Sequence, residues 1–106
     1  MRGRVLISWA TVARSCSGVS AFGINQLEIP PNAEGPEHDH AEDGQEEVYV
    51  VIRGGGSIRI DGSENPLHVG QYVYLSPDAR RQMVAGDQGL ARVGVGCQPG
   101  AFKPQQ

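Results

Sequence analysis

Two histidines separated by one residue, His38 and His40, with two adjacent glutamates, Glu46 and Glu47, close behind them, are the side chains in this chain best suited to chemistry. On extended backbone, side chains two apart point the same way, so the two imidazoles can hold one ion between them. Imidazole nitrogen suits zinc, iron, copper, nickel and manganese, and a carboxylate adds charge for a harder divalent ion. Two histidines and one acid would make a facial set of three. An HxH in so acidic a stretch, "EHDHAEDGQEE", is equally what a solvated loop looks like. What argues for a site is the sequel. Glu46 and Glu47 stand at the mouth of "VYVVI", a run apolar enough to be a strand covered on both sides, so one of the two is expected to face inward. If the strand bearing the histidines runs beside it, that acid completes the set. The alternative is that both glutamates are surface charges at a strand end.

The elements that must position these residues read as strands. Fifteen glycines and seven prolines in 106 residues, with no long window of helical periodicity, point to an all-β chain of one domain, its core spanning about residues 20–97. "PPNAEG", "RGGG", "DGSENP", "SPDA" and "AGDQG" carry turn chemistry. Between them lie "AFGINQLEI", "EEVYVVI", "SIRI", "LHVGQYVYL", "RRQMVA" and "LARVGVGC", each about as long as a strand. Short strands at this spacing suggest a sandwich or barrel. Residues 98–106, rich in proline, glycine and polar side chains, read as a flexible tail.

A formal net charge of -3 argues against a nucleic-acid partner, because neutralising phosphates needs a basic stripe. Apolar runs fall well short of the roughly 20 residues that cross a bilayer, so no membrane partner is expected. The opening "MRGRVLISWATVARSCSG" faintly resembles a secretory leader, but Ser8 and Thr11 interrupt it and its β-branched content suits a first strand as well. Cytoplasmic location with Cys16 and Cys97 as thiols is the default expectation.

Gly35, His38, His40, Glu47 and Gly54 together resemble the first conserved motif of the cupin superfamily: a glycine, an HxH pair, a glutamate, and a glycine seven residues after it. The resemblance selects Glu47 over Glu46 as the ligand position. Here the gap before the pair is shorter than usual, and the gap from His40 to Glu47 is longer, which implies an enlarged loop at "AEDGQE". Gly70, "YVYL" and Pro77 resemble the second motif, but its metal-binding histidine is missing. Counted from Pro77 in the PxGxxH form, that position falls on Gln82, preceded by Arg80 and Arg81. The resemblance covers roughly residues 25 to 96 and implies a single-domain jelly-roll β-barrel, with ligands pointing into its mouth and often a homodimer.

With Gln82 in place of a histidine, the expected metal ligands are reduced to His38, His40 and Glu47, an amide oxygen being a poor transition-metal ligand. Gln82 would then orient a water or a substrate, or stand as a weak fourth ligand. Neighbours on a strand point to opposite faces, so at most one of Arg80 and Arg81 should enter the cavity, where it would favour a carboxylate or enolate. Tyr49, Tyr72 and Tyr74 read as core or barrel-wall residues, and His68 as exposed. Three functions stay open: a metal-dependent enzyme, such as an oxygenase or isomerase, acting on a small molecule, anionic or not; a metal-free cupin that binds a small ligand as sensor or carrier; and a metal-independent acid–base isomerase or epimerase. The last requires a tyrosine or acid across the cavity from His38 or His40. The homodimer expected from the resemblance could use the strand "RVLISWATV" with Trp9 as anchor.

Overall fold

The computed structural model describes residues 12–16 and 18–103 and contains strands only: β1 (Val12–Ser15), β2 (Gly23–Ile29), β3 (Glu46–Ile60), β4 (Ser63–Leu67), β5 (Tyr72–Leu75) and β6 (Arg81–Cys97). Trp9 and residues 1–11 of the stretch read as a leader lie outside the described residues, and of the first strand expected at "RVLISWATV" only Val12 is described, where β1 begins. All pairings are antiparallel, in the order β1-β2-β6-β3-β4, with β5 also on β3. The all-β jelly-roll expectation holds.

Two strands do most of the architectural work, and here the structure corrects the sequence reading. "RGGG" does not end a strand: it lies inside β3, and "AGDQG" likewise lies inside β6. Both strands bend rather than reverse, and their pairing shifts register between Val51 and Arg53 and again between Gly54 and Gly56. On one side of the bend, Glu46–Val51 runs between β5 and the far half of β6; on the other, Gly56–Ile60 runs between β4 and the first half of β6. A bent pair of this kind supplies both faces of a barrel. Glycine is required at the bend because Gly54 has φ 71° and a Cβ there would collide with the Gly89 carbonyl oxygen.

Two smaller corrections follow from turn chemistry. In "DGSENP" only Asp61 and Gly62 form the turn, both at positive φ (51° and 85°), which matches the twist of a tight hairpin. Ser63–Leu67 is already β4, and Pro66 is tolerated there because β4 is an edge strand. "LHVGQYVYL" is two pieces, since Gln71 N–H donates to the His68 carbonyl in a turn with Gly70 at φ 86°.

Leu27, Ile29, Tyr49, Val51, Ile58, Leu67, Leu75, Met83 and Leu90 fill the space between the faces. "VYVVI" is covered on one side, not two. Tyr49 and Val51 are each 1% exposed, whereas Val48 and Ile52 are 37% and 45% exposed. Val48 pairs with Tyr74 on one flank and Val95 on the other, so the outward side of this sheet is a row of apolar residues that hides its strand alternation in the sequence.

Alanine at Gly62, which has open space around it, should cost roughly 1 kcal/mol for its positive φ alone. Gly54→Ala should cost at least about 2 kcal/mol more, because a carbonyl must also move. Urea denaturation of the two variants compares them directly; equal costs would mean that the bend does not depend on close backbone approach.

Candidate metal centre

His38 lies on a short segment that joins the edge of β6 through a single reciprocal pair: His38 N–H donates to the Arg81 carbonyl (3.0 Å) and Arg81 N–H to the His38 carbonyl (2.9 Å). His40 N–H donates to the Pro77 carbonyl (2.8 Å), fixing the second histidine against the turn before β6. The histidine segment therefore runs beside β6 and not beside the glutamate strand. Glu47 comes from β3, where it pairs with Leu75 and Gly96.

Ligating atoms of His38, His40 and Glu47 lie within 4.8 Å of one another. Glu47 Oε1 is 3.4 Å from His40 Nε2 and 3.8 Å from His38 Nε2. Four donors about 2.1 Å from a tetrahedral ion sit about 3.4 Å apart, so this spacing fits a divalent metal. His40 carries a further mark of such a site. Its Nδ1 lies 3.0 and 3.1 Å from the two oxygens of Asp43, in the enlarged loop. The hydrogen bond to His40 is the first of the influences that hold Asp43 below the usual carboxylate range. An ionised carboxylate only accepts, so Nδ1 is the donor of this contact, and Nε2, which faces Glu47, is the nitrogen left to take a metal.

Arg81, not Gln82, occupies the place opposite the histidines. Paired residues on antiparallel strands project to one face, so the partner of His38 must share its side of the sheet. Arg81 is 1% exposed, and its Nη2 donates to Glu47 Oε1 (2.8 Å) while Nη1 donates to the carbonyls of Ser76 and Ala79. Gln82, one residue on, faces the other way: its amide donates to the Gly35 carbonyl (3.1 Å) and accepts from Arg59 (3.0 Å). Spacing from Pro77 misplaces the position by one residue, which flips the face. Arg80 stays outside, paired with Glu37 and Asp39.

Tyr49, like Asp43, is a site residue that sequence reading missed. Its ring is core, as expected of an aromatic in a strand, but its hydroxyl donates to Glu47 Oε1 (3.0 Å) and lies 3.4 Å from His38 Nε2. The signal was the two-residue spacing from Glu47, which puts both on one face. Tyr72 and Tyr74 are 74% and 60% exposed on the outside, and the Tyr74 hydroxyl donates to Glu46 (3.0 Å). Glu46 thus takes the outer role and Glu47 the inner one. A cleft of about 290 Å³, walled by Val19 and Phe22, reaches His40 and Glu47. His68 is exposed and lines a different hollow of about 810 Å³ beside the glycine bend.

Burial raises the Glu47 pKa, but hydrogen bonds from His38, Arg81 and Tyr49, with the charge of His40, outweigh it and bring it from 4.5 to about 2. Burial likewise pushes the Tyr49 hydroxyl up, so it stays a neutral donor. Since the folded pKa of Glu47 is depressed, the stability it contributes is present above its unfolded value and lost as pH falls from about 4.5 toward 2. In chelator-treated protein that loss should be roughly 3 kcal/mol, and Glu47→Gln should flatten the stability curve over the same window. Denaturant titrations between pH 2 and 5 check this; identical slopes would show that Glu47 is not held ionised.

No curated protein matches the chain in sequence. Among solved structures, a cupin protein from Bacteroides fragilis superposes with a TM-score of 0.75 at 24% identity, covering 83% of this chain and 75% of its own. A cupin conserved-barrel protein from Salinispora arenicola gives 0.73 at 24% identity, covering 86% and 78%. The cupin domain of a transcriptional regulator from Enterobacter cloacae gives 0.73 at 22% identity, covering 85% and 98%. Residues 25–93 match the family model for the cupin domain, so strand order, motif residues and sequence agree that this chain belongs to the cupin family.

Proposed function

We propose that the protein holds one divalent transition metal at His38, His40 and Glu47 and uses it to act on a small organic molecule admitted through the adjoining cleft. The observation that carries this reading is the convergence of the three ligating atoms, reinforced by Asp43 on the far nitrogen of His40. When bound, the ion would supply Lewis acidity to oxygen atoms of a ligand at the coordination positions these three side chains leave open. The surrounding residues have separate tasks. Asp43 orients the His40 ring, Tyr49 and Arg81 keep Glu47 ionised, and the apolar wall at Val19 and Phe22 takes the carbon skeleton of the ligand.

A second reading, acid–base catalysis without metal, is favoured by one observation, the Tyr49 hydroxyl 3.4 Å from His38 Nε2. Tyr49 could pass a proton to or from that nitrogen. The raised pKa of the hydroxyl makes it a weak acid in this role, so the metal reading is preferred.

Protein purified without chelating resin should contain about one transition metal per chain by elemental analysis, and His40→Ala should contain almost none. Metal-free wild type, or undiminished metal in His40→Ala, would sink the proposal. Asp43→Ala should bind the same ion roughly 10- to 100-fold more weakly in equilibrium dialysis. Unchanged affinity there would mean that Asp43 does not set the His40 ring.

A further inference from the structure

A second buried arginine has no role in the site so far. Arg92, on β6, is 5% exposed, and its guanidinium lies 4.2 Å above the Tyr49 ring. Arg81 has Glu47 as its counter-charge, but no carboxylate lies within ion-pair distance of Arg92 among the described residues. Its Nη1 donates to the neutral amide oxygen of Asn25 (2.5 Å), and its Nε has no hydrogen-bond partner among the described residues. Burial, the largest influence, pulls its pKa below the usual arginine value. A buried cation with no carboxylate in contact, attracted by Glu47 only at a distance, is costly, and a use for it would account for that cost.

Gly94 shows what the use is. It has no positive φ, so its backbone does not call for glycine. A Cβ there would stand 2.6 Å from Arg92 Nη1, 3.1 Å from Asn25 Oδ1 and 3.2 Å from the Tyr49 ring. Leaving that Cβ out opens a window onto the guanidinium. Gly94 and Asn25 both line the 290 Å³ cleft that also reaches His40 and Glu47. The cleft therefore reaches two of the three candidate ligands at one place, and at another its wall at Gly94 and Asn25 stands directly against the cation.

We propose that Arg92 and Asn25, reached through the opening at Gly94, form the subsite for the carboxylate of a small organic acid bound in the barrel. Two observations select a carboxylate over a phosphate. One guanidinium is left uncompensated, which one monoanion balances and a phosphate of charge near -2 exceeds. The guanidinium held over the Tyr49 ring is itself a planar fork of N–H donors, the shape that a planar carboxylate matches. The proposal names the ligand class of the reading above and rests on it for the cleft, but not for the metal.

The test uses chelator-treated, full-length protein, so its failure leaves the metal centre standing. Sodium acetate, titrated at constant ionic strength against sodium chloride, should shift the Arg92 Nε–Hε resonance saturably in the millimolar range. Inorganic phosphate should bind at least tenfold more weakly. Asn25→Asp places a carboxylate on the guanidinium from within: this variant should melt at a higher temperature than wild type and lose the acetate response. Gly94→Ala, which closes the opening and leaves every charge in place, should weaken acetate at least tenfold and serves if Asn25→Asp does not fold. No saturable response at Arg92, tighter phosphate than acetate, or wild-type acetate binding in either variant would overturn the proposal.

Discussion

The ion pair between Arg81 and Glu47 is the contact on which the interior depends, because it joins the two faces of the barrel at the end away from their shared bend. Glu47 belongs to the half of β3 that pairs with β5, and Arg81 to the half of β6 that pairs with Ile60 and the histidine segment. β3 and β6 fold over together at Gly54 and Gly89, as the two jaws of a clip share a spring. Taking away one member of such a pair leaves the other charge buried, at a cost of roughly 3 to 5 kcal/mol. The same salt bridge fixes the carboxylate oxygen toward which both imidazoles turn. Fold and site are therefore set by one interaction.

Tyr49 ties the two arginines into a single arrangement. Its hydroxyl donates to the oxygen that Arg81 also binds, and its ring carries Arg92. The aromatic face supplies partial negative charge where no acid is in contact, worth about 2 kcal/mol for a desolvated cation. It lessens the penalty of burying Arg92 without cancelling it. The interior is thus cationic beyond its own carboxylate within a chain whose net charge is -3, a local reversal that composition averages away.

How much of this was legible depends on what each residue's position rests on. His38, His40 and Glu47 could be found because strand alternation and motif spacing place them without knowledge of the partner strand. The fourth position could not be found by counting. Its face is decided by the hydrogen-bonded pair between His38 and Arg81, and pairing is a long-range fact that spacing from Pro77 does not encode. The glycine runs misled for a related reason. Glycine in a turn and glycine at a bulge look alike along the chain, and only the Gly89 and Val84 carbonyls crowding Gly54 and Gly56 tell them apart. Arg92 gave no local signal at all, since its environment is assembled from Asn25, Tyr49 and Gly94 on three strands.

The loop from Ala41 to Gln45 sits between two of the three candidate ligands, yet none of its residues belongs to a strand. Asp43 reaches His40 from it, so the electron-donating power of one imidazole is governed by a segment whose length can change without shifting the register of any strand. Insertion or substitution at a few solvent-facing codons can therefore retune this centre while every strand pairing of the barrel stays as it is.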